Sequence, residues 1–93
     1  MQNLVKKELL EITLSIKNIE EMNDFIESIL TPDEFDQIAI RWQIVKKILK
    51  KEPQRQIAKD LGISISKVSR GSREIKYGNG IFQKLFKRQD ENS

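Results

Sequence analysis

A single glycine lies between two short amphipathic segments within residues 54–71, and this feature constrains the fold more than any other. Before Gly62, Ile57 and Leu61 are four residues apart, which places them on one face of a short helix near residues 54–61. A glycine at this point can adopt the left-handed conformation that commonly ends a helix. The pattern therefore predicts a short helix that stops at a tight turn.

A second helix is predicted directly after that turn, near residues 65–76. Ser64 precedes it and has the side chain of a good helix cap, while Ile65 and Val68 are expected to anchor the helix inward. Ala58 in the first helix is small enough to let the two helices approach closely. Two short helices joined in this way are typical of a helix-turn-helix unit.

The rest of the chain also has helical periodicity. The clearest helix start is the Thr-Pro-Asp-Glu segment 31–34, in which the threonine can cap, the proline fits the first helical position and the glutamate can reach back. A long amphipathic helix is predicted near residues 32–51, before a break at Pro53. Further helices are predicted at residues 3–15, from Asn18 onwards, and over Ile81, Phe82, Leu85 and Phe86. No segment alternates like a β-strand, so we expect an all-α, multi-helix fold with a helix-turn-helix.

The chain has the size of a single domain. It has 93 residues, and surface scaling indicates that a chain of this mass buries about 65% of its unfolded surface. Such a core is marginal, so either the packing is very close or a partner subunit completes the fold. We expect one domain over residues 1–93, with the helix-turn-helix near residues 54–76 and a flexible tail over residues 87–93.

Cysteine and histidine are both absent, which narrows the possible chemistry. No disulfide or cysteine-based metal site can form, and no cysteine or histidine is available as a nucleophile or general base. No catalytic pair of carboxylates is recognisable, so no catalytic or metal-binding residue is predicted and an enzyme is not expected. The sequence contains neither a stretch of membrane-spanning length nor a signal-peptide pattern, which predicts a cytoplasmic protein.

Charge is unevenly distributed along the chain. Residues 1–40 carry nine acidic and three basic side chains, whereas residues 41–76 carry eleven basic and three acidic ones. A basic block of this kind is typical of a surface that binds polyanions. It also fits a solvated lysine-rich surface, or a basic face that meets an acidic protein partner. The block coincides with the predicted helix-turn-helix, which favours double-stranded DNA as the partner.

A helix-turn-helix places its second helix in the major groove and its first helix against the DNA backbone. Arg55 and Lys59 in the first helix are therefore predicted to contact phosphates, which fixes position rather than sequence. Lys67 could donate to guanine or contact another phosphate, and both assignments stay open. A generic helical hairpin with a glycine cap is the alternative to a DNA-binding unit. The predicted DNA-contacting residues are Arg55, Lys59, Ile65, Ser66, Lys67, Ser69 and Arg73.

Three blocks of the sequence resemble the Trp repressor family. They are Leu30 to Glu34, Arg41 to Leu49, and Ser69-Arg70-Gly71-Ser72 with Ile75 and Lys76. Their order and spacing match the family over roughly residues 19–86, except for one residue fewer around Pro53. The resemblance implies an all-helical, intertwined homodimer that binds an operator as a repressor, with genes of amino-acid biosynthesis under its control.

In this family L-tryptophan is the corepressor and binds between the central helices and the DNA-reading unit. The resemblance implies that Arg41 and Arg70 flank the indole ring and that Arg70 also pairs with the ligand carboxylate. Gly71 would leave room for the ring, and backbone carbonyls near Leu30 and Thr31 would receive the ammonium group. Guanidinium groups stack on aromatic rings and bind carboxylates through paired hydrogen bonds, which fits these roles. No other cofactor is expected.

Two residues depart from the family pattern. Glu74 stands where tryptophan-binding members have a serine near the ligand ammonium. Its carboxylate could pair with that ammonium, or it could bridge to Arg41 or Arg70 and occupy the pocket itself. Trp42 replaces a smaller aliphatic residue, and it either belongs to the core or fills the space for the indole. A ligand-independent regulator whose pocket is closed by Glu74 or Trp42 is therefore the alternative to a tryptophan-responsive repressor.

Overall fold

The computed structural model describes residues 2–91, and every regular element in that range is a helix. The helices are α1 (Gln2–Ser15), α2 (Ile19–Ile29), α3 (Pro32–Leu49), α4 (Gln54–Leu61), α5 (Ile65–Tyr77) and α6 (Ile81–Glu91). The prediction of an all-α fold is confirmed. Within the described range, each helix is too short or too polar to cross a lipid bilayer.

Side-chain caps begin α2 and α3, as the sequence predicts. The Asn18 side chain accepts a hydrogen bond from the backbone N–H of Glu21 at 2.8 Å. At the start of α3, Thr31 Oγ1 accepts from the Glu34 N–H at 3.2 Å, and the Glu34 carboxylate accepts from the Thr31 N–H at 2.8 Å. This reciprocal pair is a complete capping box. Hydrogen bonds from Thr31, the backbone N–H first and the side chain second, hold the pKa of Glu34 below its ordinary value.

A residue other than glycine ends α3. Lys51 has φ = 68°, its N–H donates to the Ile48 carbonyl at 2.9 Å, and the N–H of Glu52 donates to the Lys47 carbonyl at 3.1 Å. These two bonds form a Schellman motif. An ion pair of 3.5 Å between Lys47 and Glu52 closes the same turn. The helix therefore ends at Leu49 and not at residue 51, because the left-handed turn takes the chain out of the helix ahead of the following proline.

The last helix is longer than the sequence analysis predicts. Residues 87–91, expected to belong to a flexible tail, form the final turns of α6, whereas residues 92 and 93 lie outside the described residues. The half-buried Phe82 and Phe86 recur at helical spacing, and good helix formers follow them. Arg88 lies in the last turn, where a cation complements the helix dipole. The prediction of a flexible tail is therefore wrong for residues 87–91.

The chain divides into two compact units, with the boundary between Asp36 and Gln37 inside α3. No described residue of the first unit is buried. Large aliphatic side chains of its first two helices are strongly exposed, including Leu4 at 72%, Leu14 at 85% and Ile19 at 82%. The buried core of the described chain lies in the second unit, and the assignment of residues 1–93 to a single domain stays a prediction.

That core joins the helix-turn-helix to α3. Ile57 of α4 and Val68 of α5 are fully buried, and Ile44 of α3 is 4% exposed. The half-buried side chains packed against this cluster are Ile40, Ile48, Ala58, Leu61 and Ile63. The inward positions predicted for Ile57 and Val68 are confirmed. Ile65 is 47% exposed, so its predicted role as an inward anchor is wrong, since Ile63 in the turn already fills that end of the core.

The capping box of α3 predicts a measurable titration effect. A lowered folded-state pKa means that the Glu34 contribution to stability is present above the pKa of an unfolded glutamate and is lost as the pH falls through the folded pKa. Thr31→Ala removes the side-chain bonds of the box but keeps the backbone N–H that donates to Glu34, so we expect it to raise the Glu34 pKa only part of the way towards its ordinary value. The lost cap should lower the free energy of unfolding by about 1 kcal/mol. Thr13→Ala, in α1, is the control threonine variant. An NMR titration follows the Glu34 pKa in all three proteins, and a Thr31→Ala variant as stable as the native protein would contradict the capping role.

Candidate nucleic-acid interface and ligand pocket

The turn between α4 and α5 has the geometry that the sequence predicts. Gly62 has φ = 64° and ψ = 38°, and its N–H is directed at the carbonyls of Ala58 and Lys59. The N–H of Ile63 donates to the Ala58 carbonyl at 3.0 Å. These bonds satisfy the last carbonyls of α4 and end the helix. A side chain at Gly62 would be strained in this left-handed conformation, which is why glycine is favoured there.

Serine side chains order the start of α5. Ser64 Oγ accepts a hydrogen bond from the Lys67 N–H at 3.4 Å and lies 3.1 Å from the hydroxyl of Ser66. The predicted cap is confirmed, and Ser66 adds a second hydroxyl to the same turn. The front of α5 therefore presents small polar groups on an ordered helical turn.

The charged residues predicted to contact DNA are all exposed. They are Arg55, Lys59, Lys67 and Arg73. Within residues 2–91 none of these cations forms an ion pair with a protein carboxylate. Ser66 and Ile65 are also exposed. The helix-turn-helix therefore carries a positive surface whose charges are not neutralised by the described part of the chain.

Ser69 differs from the other predicted DNA contacts. It is half-buried, and its hydroxyl donates to Oε1 of Gln54, the first residue of α4, at 3.0 Å. Its role as a DNA contact stays a prediction, and its hydroxyl proton is used within the helix-turn-helix. The sequence analysis missed this pair because the two residues are 15 positions apart and no local pattern connects them.

A concave pocket lies between α3, α5 and the start of α6. Its volume is about 450 Å³, within the range usual for small-molecule sites. Residues at intervals of one helical turn on α3 and α5 form most of its walls. The lining residues are Gln37, Ile40, Arg41, Ile44, Val45, Ile63, Lys67, Arg70, Gly71, Glu74 and Phe82.

The structure brings together four of the six residues predicted to bind a ligand. Arg41, Arg70, Gly71 and Glu74 all line the pocket. Leu30 and Thr31 belong to the first unit, and their predicted role stays a prediction. The sequence analysis missed Lys67 and Phe82 as pocket residues. Helical spacing from Arg70 to Lys67 could have identified the lysine, but nothing local could have identified Phe82 of α6.

Gly71 has a structural role that the sequence analysis did not predict. A Cβ atom placed on it would lie 2.6 Å from Cγ2 of Ile44, too close for any real contact. The missing side chain therefore lets Ile44 of α3 pack directly on the backbone of α5. Gly71 lines the pocket, yet the space that it leaves beside α3 is filled by Ile44 and not kept for a ligand ring.

Glu74 and Trp42, the two departures from the family pattern, lie in different places relative to the pocket. Trp42 is half-buried against Phe82, with ring centroids 6.5 Å apart and planes inclined by 47°, and it does not line the cavity. Glu74 lines the cavity, but among residues 2–91 it forms no ion pair with Arg41 or Arg70. Trp42 thus packs against Phe82 outside the cavity, whereas closure of the pocket by Glu74 stays a prediction.

The pocket combines charged groups with an apolar wall. Arg41, Lys67 and Arg70 supply three cations, Glu74 supplies one carboxylate, and aliphatic side chains with Phe82 supply the rest. Guanidinium groups can bind a carboxylate through paired hydrogen bonds, and a carboxylate can bind an ammonium group. The arrangement is therefore suited to a zwitterion with an apolar side chain.

Comparison with known proteins agrees with this geometry. The family model for Trp repressor protein matches residues 5–90. The Trp operon repressor homolog of Mannheimia succiniciproducens is 41% identical over 66 residues, which cover 70% of this chain and 65% of that protein, just under two thirds of its length. The homolog of Chlamydia caviae is 35% identical over 81 residues, covering 86% of this chain and 80% of that protein.

A solved structure has the same fold. The crystal structure of a TrpR-like protein from Eubacterium eligens has a TM-score of 0.86 and 28% sequence identity, and the match covers 90% of this chain and 87% of that one. Membership of this family assigns the chain to regulatory proteins rather than to enzymes. With a family model that matches nearly the whole sequence, the chain belongs to the Trp repressor family.

Proposed function

We propose that this protein is a homodimeric, DNA-binding transcriptional repressor for which L-tryptophan is the corepressor. The observation that carries the proposal is that a cationic helix-turn-helix and a ligand-sized pocket share α5. The similar proteins named Trp operon repressor homologs support this assignment. The controlled genes would be genes of amino-acid biosynthesis, and the protein would act in the cytoplasm.

The exposed cations of the helix-turn-helix support binding to duplex DNA. α5 would enter the major groove, and α4 would lie against the backbone. Arg55 and Lys59 are exposed on α4 and would contact phosphates. Lys67, near the start of α5, would reach either a guanine edge or a phosphate. Because phosphate neutralisation releases condensed counterions, binding would weaken steeply as salt concentration rises.

The exposed aliphatic side chains of the first unit support a homodimer. Full burial of one leucine or isoleucine stabilises a protein by roughly 1.5–3 kcal/mol, and α1 alone exposes Leu4, Leu9, Leu10 and Leu14. A second copy offers the same surface through two-fold symmetry. Intertwined subunits would bury these side chains, and two DNA-reading units would then address successive major grooves about 34 Å apart.

The charges of the pocket support an amino acid as the ligand. Arg41 and Arg70 would flank the indole ring, and Arg70 would also bind the carboxylate. Glu74 would pair with the ammonium group of the ligand. A serine at position 74 would offer only a hydroxyl. With a carboxylate there, the ammonium group of the ligand would contribute more to the binding affinity.

The position of the pocket explains how a ligand would control DNA binding. Its walls include Arg41 of α3 and Lys67 and Arg70 of α5, so a bound molecule touches both the scaffold and the helix that would enter the groove. A ligand that fits one orientation of α5 better than another shifts the population towards that orientation. Tryptophan would thus raise operator affinity by favouring the orientation that fits DNA.

The DNA-binding role predicts distinct effects for two single substitutions. Arg55→Ala should weaken binding to duplex DNA and lower the slope of log affinity against log salt concentration by about 1. Lys67→Ala should do the same if Lys67 contacts a phosphate, whereas a loss of sequence preference without a change in slope would assign it to a base. Lys6→Ala on α1 is the charge-matched control. Fluorescence anisotropy that finds both test variants equal to the native protein would contradict this interface.

The dimer is tested by the mass of the native protein in solution. Sedimentation equilibrium at micromolar concentration should give twice the chain mass of 10.9 kDa. Leu14→Asp should shift the mass towards the monomer because it places a charge on a surface that the partner buries. Lys7→Asp, on the same helix, is the control and should stay dimeric. A monomeric mass for the native protein would refute the intertwined architecture.

Tryptophan binding is tested by calorimetry. We expect L-tryptophan to release binding heat, and its deaminated analogue to bind more weakly because Glu74 is then left without its ammonium partner. Glu74→Gln should reduce the affinity for L-tryptophan by about threefold, the effect of one solvent-exposed ion pair. Glu8→Gln on α1 is the control. If neither the native protein nor Glu74→Ser released binding heat, the proposal that L-tryptophan is the corepressor would be refuted, and the DNA-binding role would be unaffected.

A further inference from the structure

Four lysines lie at the end of α3 and in the turn that follows it, and the predicted DNA contacts include none of them. They are Lys46, Lys47, Lys50 and Lys51. Lys50 and Lys51 are exposed, whereas the other two are half-buried. In the part of the chain that the structure describes, neither Lys50 nor Lys51 forms an ion pair. The turn between α3 and α4 therefore presents two cations to solvent.

The one carboxylate of this region is already paired. Glu52 is the sole acidic residue in the sequence between positions 37 and 59. Its Oε1 lies 3.5 Å from Nζ of Lys47, and that ion pair offsets its charge. The ammonium groups of Lys50 and Lys51 are therefore left for an anion outside the chain.

The backbone of Lys51 is an independent sign that its side chain has a function. Its φ of 68° lies in the left-handed region, where a Cβ atom is unfavourable and glycine is the usual residue at a helix end. Gly62, with φ = 64° at the end of α4, follows that preference. A lysine therefore makes this turn less stable than a glycine would. Residues held in unfavourable backbone conformations are concentrated at functional sites.

We propose that Lys50 and Lys51 form a second phosphate-binding surface, outside the helix-turn-helix, that extends the contact of the protein along the DNA backbone. This inference rests on the proposed DNA-binding function. α4 begins at Gln54 and would lie against the backbone. Lys51 is three positions earlier in the chain, so its Cα lies at most about 10 Å from that of Gln54. Duplex DNA carries one phosphate charge for about every 1.7 Å of its axis, so phosphates beside α4 are also close to these lysines.

The contact would be electrostatic and would carry no sequence information. Lysine is a compact charge on a flexible stem, which suits it to neutralising a phosphate without fixed geometry. Phosphate contacts position a protein on DNA but do not distinguish bases. The two lysines would therefore raise the affinity for any duplex and make that affinity depend more steeply on salt concentration.

Replacement of Lys51 by glycine tests this surface without weakening the fold. Lys51→Gly removes the ammonium group and relieves the left-handed strain, so its thermal unfolding midpoint should equal or exceed that of the native protein. Its affinity for a 30-base-pair duplex of mixed sequence, measured by fluorescence anisotropy, should nevertheless fall. The slope of log affinity against log salt concentration should be smaller by about 1, so the native protein loses about 3.5-fold more affinity than the variant between 50 and 200 mM salt.

Matched variants separate the charge from the shape of the turn. Lys51→Arg keeps a cation in the same backbone conformation and should restore most of the affinity that Lys51→Gly loses. Adding Lys50→Gln to Lys51→Gly should lower the slope by about 1 more. Glu52→Gln removes a negative charge and frees Lys47, so it should strengthen binding, and a loss of affinity would overturn the electrostatic role. Lys6→Gln, an exposed lysine on α1, is the charge-matched control and should keep the native slope.

The possible failures can be distinguished with a second duplex of unrelated sequence. A native protein that binds neither duplex refutes the proposed function together with this inference. A native protein that binds, with Lys51→Gly and the double variant keeping the native slope, overturns this inference and leaves the proposed function standing. A loss confined to one duplex would indicate a base contact, which overturns the phosphate contact. The expected result is an equal loss on both duplexes.

Discussion

The packing of Ile44 against Ile57 and Val68 is the contact on which the second unit depends. These three side chains come from α3, α4 and α5 and form its central cluster. Each such burial stabilises by roughly 1.5–3 kcal/mol, so the cluster is a large share of the stability expected for a small domain. Ile44 can approach α5 this closely only because Gly71 has no side chain. The position of the helix-turn-helix on α3 is thus set by very few atoms.

The same helices that make this core also make the pocket. One face of α5 supplies Val68 to the core, and the neighbouring face supplies Lys67, Arg70 and Glu74 to the cavity. A ligand in the cavity would therefore contact both α3 and α5, the two helices that Ile44 already joins. Because few side chains attach α5 to α3, a modest number of ligand contacts would be enough to favour one orientation of α5 over another.

The sequence could predict the turns and helix caps that depend on neighbouring residues. The left-handed turn at Gly62, the cap at Ser64 and the box at residues 31–34 each depend on residues within four positions of one another, and all are confirmed. The long-range features were not predictable in the same way. Ser69 meets Gln54 across 15 positions, and Phe82 reaches the pocket from another helix. The resemblance located four of the residues that line the pocket, because it carries tertiary information that periodicity lacks.

The wrong prediction that Ile65 faces the core shows that residue spacing can mislead even within one helix. Ile65 and Val68 have the spacing of two core residues, yet the start of α5 is already covered by Ile63 from the turn. Spacing identifies a face, but it does not show how far along that face the core extends. The consequence is functional, because an exposed aliphatic residue beside Ser66 offers an apolar contact of the kind that thymine methyl groups accept.

The positive charge of the pocket favours a zwitterionic ligand over an anionic one, because the same charge would help to attract DNA phosphates. Arg41, Lys67 and Arg70 outnumber Glu74, so the cavity contributes net positive charge to the unit that would approach phosphates. Charges closer than the Debye length of about 8 Å at physiological salt interact without full screening. A purely anionic ligand would therefore cancel part of the attraction between α5 and DNA. An amino acid would bring no net charge if its carboxylate bound Arg70 and its ammonium group bound Glu74, as proposed. Such a ligand would add contacts between α5 and α3 without reducing the attraction between α5 and the DNA phosphates.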